Sequence, residues 1–168
     1  FCEELELKFG EITSLVGENG NGKTTLLRIV AGQLKETSGD IKYPALLRKH
    51  DSNRLDYNRI KQQISYIPQE LPRWSGLLVD NLHFSAAAHV IKGEQNEFEV
   101  EFILNRLGLE KYRHSTWGEI SGGFRMRFAL AKVLLWNPKI IILDEPLANL
   151  DVNTQMLFLE DLRDIADS

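Results

Sequence analysis

Gly17-Glu18-Asn19-Gly20-Asn21-Gly22-Lys23-Thr24 is the stretch that decides the fold. An apolar segment, Ile12 to Val16, leads into it and reads as a strand; behind it, Leu27, Val30, Ala31 and Leu34 recur at helical spacing, so Thr24 to Leu34 reads as a helix. A strand, a glycine-rich loop and a helix in this order make an anion cradle. Glycines let backbone N–H groups turn inward without Cβ clashes, and the helix directs its positive dipole end at the same point. Lys23 is placed to reach the β- and γ-phosphates of a nucleotide, and the Thr24 hydroxyl to ligate Mg²⁺. Gly17, Gly22, Lys23 and Thr24 occupy the fixed positions of the P-loop pattern. Asn19, Gly20, Asn21 and Thr25 complete the set expected to bind the nucleotide. A dinucleotide fingerprint is excluded, because no third glycine follows Gly20 and Gly22 at the required spacing.

The next element lies far along the chain. Ile140-Ile141-Ile142-Leu143-Asp144-Glu145 is an apolar run ending in two carboxylates, as a buried parallel strand should look. Such a strand delivers its last residues to the carboxyl edge of a sheet, where ligands bind in α/β folds. Asp144 is placed to hold Mg²⁺ and Glu145 to deprotonate an attacking water. Many buried strands end in an acidic pair, so this signal gains its force from the loop upstream.

Between these elements the reading is coarser. Phe1 to Phe9 alternates apolar and polar as an edge strand does, and Ile41 to Tyr43 and Ile64 to Ile67 read as further strands. His50 to Gln63 is polar and irregular, a surface excursion. Val79 to Leu109 is rich in helix formers, with Phe98, Phe102, Leu104 and Leu107 near helical intervals, and reads as an inserted helical subdomain. Ser121 is a candidate cap for a helix reaching about Trp136, and a last helix covers about Asn153 to Ile165.

Composition narrows the function classes. With 43% hydrophobic and 26% charged residues, the chain is an ordinary globular protein with enough length for one domain. A net charge of -4 gives no sign of a broad nucleic-acid surface, and no direct nucleic-acid binding is expected. Cys2 is the lone cysteine, so neither an intrachain disulfide nor a thiolate cluster forms, and the histidines have no metal-ligand spacing. No apolar run, Ile140 to Leu143 included, approaches the roughly 20 residues that span a bilayer. Trp74, Trp117 and Trp136 read as packing or partner-contact residues. Arg125 and Arg127 could meet a partner's nucleotide or face water.

Three further motifs carry a resemblance. Ser121-Gly122-Gly123 precedes Asp144 by about 20 residues, Gln69 sits in Tyr66-Ile67-Pro68-Gln69-Glu70, and Leu147-Ala148-Asn149-Leu150-Asp151 follows the acidic pair. Together with the loop and the carboxylates, they resemble the motifs of the ATP-binding cassette (ABC) family over essentially the whole chain. Alone, Ser-Gly-Gly is an ordinary helix cap, Gln69 a solvated polar residue after a proline turn, and Asp151 the N-cap of the last helix. The resemblance implies an α/β fold: a P-loop core with a mostly parallel sheet flanked by helices, an antiparallel β edge and an inserted helical subdomain. The core lobe would take about residues 1–69 and 137–168 and the helical signature lobe about 70–136. It implies a head-to-tail dimer, homo- or heteromeric, with each ATP between one copy's P-loop and the signature Ser121, Gly122 and Gly123 of the other. Gln69 would act in catalysis and sense Mg²⁺ beside Thr24 and Asp144, and Asp151 would communicate across the dimer. A transmembrane permease partner, with this chain cytoplasmic and peripheral on the cytoplasmic face of the cell membrane, completes the expectation of a transporter's ATPase subunit.

The sequence departs from the family pattern at Ile120 and Phe124, which flank the signature, where leucine and a polar residue are usual. Phe124 reads as a packing residue of the helical lobe. The alternative function is a soluble ABC-class ATPase acting on ribosomes, nucleic acid or a defence partner. A long coiled-coil insertion is excluded, since only about 50 residues separate Gln69 from Ser121 and they lack heptads. Intact Lys23, Asp144 and Glu145 argue against a regulator without turnover. The chain opens on Phe1 rather than Met, and neither an upstream adenine-stacking aromatic nor a switch histidine is found; His50, His83, His89 and His114 are all misplaced for the latter. We therefore expect a fragment truncated at both ends. In a steady-state phosphate-release assay the 168-residue piece should hydrolyse Mg-ATP slowly or not at all, and a brisk rate would contradict this.

Overall fold

The computed structural model describes residues 4–46, 57–148 and 150–167. Helix α1 (Lys23–Val30) leaves the glycine loop, and a short helix α2 (Tyr57–Lys61) leads to strand β1 (Ile64–Ile67). Helices α3 (Leu78–Ala88), α4 (Glu94–Arg106) and α5 (Gly122–Leu134) follow, then strand β2 (Ile140–Leu143) and helix α6 (Val152–Ala166).

The sheet is the parallel pair β1–β2, in register from Ile64 opposite Ile140 to Ile67 opposite Leu143. A parallel pair needs a long crossover, and here the crossover is the helical segment itself. Pairing runs on one step past the strand, with the Asp144 amide donating to the Ile67 carbonyl at 3.0 Å. The carboxyl ends of both strands thus lie side by side.

Residues 4–9, 12–16 and 41–43, expected as strands, carry no strand structure; Phe1, Cys2 and Glu3 lie outside the described residues. A strand needs a ladder neighbour and a covered face. Among the described residues none of these segments has a ladder neighbour; 41–43 is covered through Tyr43, whereas Val16 remains 90% exposed. The first helix also ends earlier than its apolar spacing predicts. Gly32 takes φ +66, its amide donates to Ile29 O at 2.9 Å and that of Gln33 to Arg28 O at 2.8 Å. This pair of bonds closes the helix in a glycine-terminated Schellman turn. Of the polar stretch 50–63, residues 50–56 lie outside the described set. The remainder is not wholly on the surface: α2 buries Ile60.

The helical segment builds its own core. α3 buries Leu78, Val79, Leu82 and Ala86, and α4 buries Val100, Ile103 and Leu104. The α4 stripe therefore runs one turn-face away from Phe98 and Phe102, which are exposed and stack on each other at 6.3 Å. Between these helices lies α5, buried on nearly all sides through Met126, Phe128, Ala129, Leu130, Ala131 and Val133 and packed against α3, α4, α6 and β1. Trp74 and Trp117 are buried and stack at 4.9 Å, with Phe128 edge-on to Trp74. Trp136 stacks on His89 at 4.9 Å, and Phe124 packs on Tyr112 at 4.1 Å. All of these aromatics pack as the sequence suggests.

A second, smaller cluster under α1 joins Ala31, Tyr43, Leu46, Ile60, Ile64 and Ile142. Phe128 is fully buried at the centre of the larger one. Phe128→Ala should lower the unfolding free energy by about 3–5 kcal/mol, read from the denaturant midpoint at unchanged m-value.

Candidate functional site

The glycine loop owes its course to Gly20 at φ +86 and Gly22 at φ +79. Residues with a Cβ adopt that region only at a cost. Gly22 is the N-cap of α1, no side chain caps the helix, and its first turn carries no acidic residue. The amides of Lys23, Thr24 and Thr25 consequently face outward without an internal acceptor. Two of the three Lys23 Nζ donors are engaged, reaching Gly17 O at 2.8 Å and Glu18 O at 2.9 Å. The ammonium is thereby pinned over the loop with one donor left.

Facing the loop is the carboxyl end of the strand pair. Asp144 is only 3% exposed. Its Oδ1 accepts from the Thr24 hydroxyl at 3.1 Å and its Oδ2 from the Tyr66 hydroxyl at 2.8 Å. Burial, and then the bond to Asp144, push the Tyr66 phenol up to about 12. Glu145, one residue on, accepts from Gln69 Nε2 at its Oε2 at 2.8 Å. Glu145 also sits at φ +48, a conformation that costs a residue with a side chain about 1–2 kcal/mol.

These groups enclose a cavity of about 380 Å³. Asn19, Gly20, Gly22, Lys23, Thr24 and Thr25 line one wall, with Gln69 and Glu145 on the other. Residues 120 positions apart in sequence meet here. Gly17 and Asn21 belong to the same loop without lining the cavity, and Asp144 lies beneath it.

Ser121, Gly122, Gly123 and Asp151 do not join this cavity. They form a second locus where the starts of α5 and α6 touch. A Cβ on Gly122 would come 3.7 Å from Leu150 Cδ2, and one on Gly123 would come 2.2 Å from Thr154 Cγ2. Gly123 is thus required by close packing as long as Thr154 keeps its rotamer. That rotamer is held by Asp151, which caps α6 by accepting from Thr154 N at 3.0 Å and Thr154 Oγ1 at 2.5 Å. The side-chain bond first, then the backbone bond, draw the Asp151 carboxyl below its usual range. Ser121 stands at the N-cap of α5 in extended geometry, but its hydroxyl makes no cap hydrogen bond. Of Leu147 to Asp151, Asn149 lies outside the described residues.

The two signature-helix arginines are both committed within the chain. Arg125 Nε donates to Trp117 O at 3.0 Å with its guanidinium over that ring. Arg127 Nε lies 2.8 Å from Asp161 Oδ2 in an ion pair that is largely buried. Neither faces water freely, a correction to the sequence expectation. Of the histidines, His83 bonds Asn96 and His89 stacks on Trp136, while His50 lies outside the described residues. No three potential metal-binding side chains cluster among the described residues. Sequence reasoning missed Tyr66. Its signal was a phenol in a short buried strand three residues before Gln69.

The backbone at Glu145 makes a stability test possible. Glu145→Gly should be more stable than Glu145→Ala by about 0.5–1 kcal/mol, because glycine tolerates positive φ. Paired thermal melts would show this, and the reverse order would contradict the left-handed geometry.

Comparisons with known proteins agree with this geometry. A family model described as ABC transporter matches residues 3–148. The spermidine/putrescine import ATP-binding protein PotA of Mycoplasma mycoides is 35% identical over 160 residues, covering 95% of this chain and 44% of that protein. The molybdate/tungstate import ATP-binding protein WtpC of Pyrococcus abyssi is 33% identical over 160 residues, covering 95% of this chain and 45% of its own length. Among solved structures, cbiO1 from Clostridium perfringens, part of the ABC transporter complex cbiONQ, superposes with a TM-score of 0.84 at 29% identity, covering 96% of this chain and 64% of that one. The chain spans less than half the length of these two curated relatives. With the family match extending over most of its residues, the chain belongs to the ABC transporter family.

Proposed function

We propose that this chain is the core of a transporter's ATPase subunit, which binds ATP with Mg²⁺ and hydrolyses it in a head-to-tail dimer to power movement of a cargo across a membrane. The observation that carries the reading is the shared cavity, in which a phosphate cradle faces the hydrogen-bonded pair Gln69–Glu145.

Each residue's part follows from its place. The α1 amides and the remaining Lys23 donor bind the β- and γ-phosphates. Gln69, donating to Oε2 of Glu145, orients that carboxylate. The other Glu145 oxygen then accepts a proton from the water that attacks the γ-phosphate. The donor set at the cavity floor fits Mg²⁺: Thr24 Oγ1 and Asp144 Oδ1 are hard oxygen ligands 3.1 Å apart. Gln69 adds a third such group beside them. Mg²⁺ takes few protein ligands and completes its shell with phosphate and water. It would supply charge neutralisation at the phosphates.

A dimer follows from what the cavity lacks. Ser121, Gly122 and Gly123 offer a hydroxyl and a helix N-terminus without acidic residues in its first turn, yet they lie away from the chain's own P-loop cavity. A second copy turned head to tail brings them to the γ-phosphate. Asp151, at the start of α6 beside them, falls at the same junction. We divide the chain into a core lobe of about residues 1–69 and 137–168 and a helical lobe of about 70–136: the smaller cluster draws on the core lobe alone, and the larger one joins the helical lobe to Ile67 and Phe158 of the core lobe.

No helix among the described residues is long and apolar enough to cross a membrane, so passage is assigned to a permease partner, with this domain on its cytoplasmic face. Relatives named for spermidine/putrescine and for molybdate/tungstate import share this core, which supports assigning the choice of cargo to parts outside the ATP site.

The test uses the full-length protein with Glu145→Gln. Loss of the base should slow turnover by about 10²-fold or more and trap the ATP-bound dimer. Purified from detergent-solubilised cells, the trapped protein should bring a polytopic membrane protein in equal amount, identified by mass spectrometry. Ribosomes, nucleic acid or a soluble partner in its place would overturn the transporter reading.

A further inference from the structure

We propose that Tyr66 is a positioning residue for metal-dependent nucleotide binding: its hydroxyl holds one oxygen of the Asp144 carboxylate so that the other is presented to Thr24 and the cavity. The inference rests on the function proposed above and assigns a role to a residue outside the loop and carboxylate motifs.

The geometry is specific. Tyr66 pairs with Ile142 across the parallel ladder. Side chains two apart on a strand share a face, so Asp144 projects on the face of Ile142 and comes within reach of the tyrosine ring. The phenol donates to Asp144 Oδ2 at 2.8 Å while Thr24 donates to Oδ1 at 3.1 Å. The Asp144 backbone is pinned as well, its amide bonded to Ile67 O at 3.0 Å. At 3% exposure the carboxylate has little access to water as a substitute partner. A carboxylate turns about a broad, two-fold terminal torsion, so without the phenol the Thr24 hydroxyl alone would hold its angle, through a single oxygen. Partners that orient a ligating carboxylate act on metal affinity through the ligand, by about 10–100-fold.

The same short strand serves both acids. Tyr66 holds Asp144, and Gln69, three residues on, holds Glu145. One chain segment thus orients the carboxylate at the cavity floor and the one at its wall.

The experiment titrates a fluorescent ATP analogue into the full-length protein, first in EDTA and then over a range of Mg²⁺. In Tyr66→Phe, affinity in EDTA should match the parent, while the Mg²⁺ concentration for half-maximal binding should rise about tenfold. Tyr43→Phe is the control. Tyr43 donates to Val30 O at 2.8 Å, away from the cavity, and its removal should leave the Mg²⁺ requirement unchanged. An unaltered requirement in Tyr66→Phe overturns the proposal, as does an equal rise in both variants, which would mark general loosening. A parent protein that binds the analogue with no response to Mg²⁺ overturns the metal-dependent function itself, a result distinct from the other two. Should Tyr66→Phe fail to fold, 3-fluorotyrosine at position 66 preserves the ring and hydroxyl. Its fluorine resonance should shift when Mg²⁺ is added to the ATP-bound protein, and a stationary resonance overturns the positioning role.

Discussion

One buried carboxylate joins the parts of this molecule that sequence keeps apart. Asp144 accepts a hydroxyl from α1 and a hydroxyl from β1, and its own amide donates to the Ile67 carbonyl of β1. Burying a charge is costly unless its lone pairs are satisfied. Here both oxygens have partners, and those partners hold the P-loop helix over the carboxyl ends of the strands. This tie fixes the glycine loop relative to the Gln69–Glu145 pair on the opposite wall of the cavity.

A second consequence of the same sheet edge concerns the helical segment. Gln69 leaves β1 toward it, and the amides of Leu78 and Val79 donate to Ser115 O and Arg113 O at 2.9 and 3.0 Å. The chain just after Gln69 is therefore zipped to the chain just before Ser121, reinforced by the Trp74–Trp117 stack. The start of α5 is in turn fitted to the start of α6 by Gly123 against Thr154. A displacement at Gln69 thus has a continuous packed route to the signature residues. Tightly packed elements move as bodies rather than deform.

The stability of this arrangement is unevenly distributed. The helical cluster surrounds Phe128 and buries α5 on nearly every side, whereas the segments leading into the glycine loop leave Leu5, Phe9, Ile12 and Val16 uncovered among the described residues. The cavity edge lies between the two, with Glu145 held in left-handed backbone geometry. Strain at such a residue persists where surrounding contacts over-determine it, and here the Gln69 bond and the paired strand end on either side of it do so.

By itself the sequence determined the chemistry. Gly17 to Thr24 announce phosphate binding because few residue types allow backbone amides to converge on an anion, and Ile140 to Glu145 announce a strand that ends in acids. Helices α3 to α6 and both strands were legible from apolar spacing, since those stripes face a core close at hand. Tertiary structure decided what depends on distant partners. Segments 4–9 and 12–16 read as strands in sequence but have no ladder neighbour among the described residues. Phe98 and Phe102 fall off the buried stripe because α4 is rotated by Val100, Ile103 and Leu104, which pack against α3. Arg127 turned out to be an ion-pair partner of Asp161 rather than a surface cation. Asp151 reads equally well in sequence as a cap and as a signalling residue, and its bonds to Thr154 place it as the cap. Tyr66 was invisible as a functional residue for the same reason. A hydroxyl gains meaning only from the atom it reaches, and that atom lies 78 positions away.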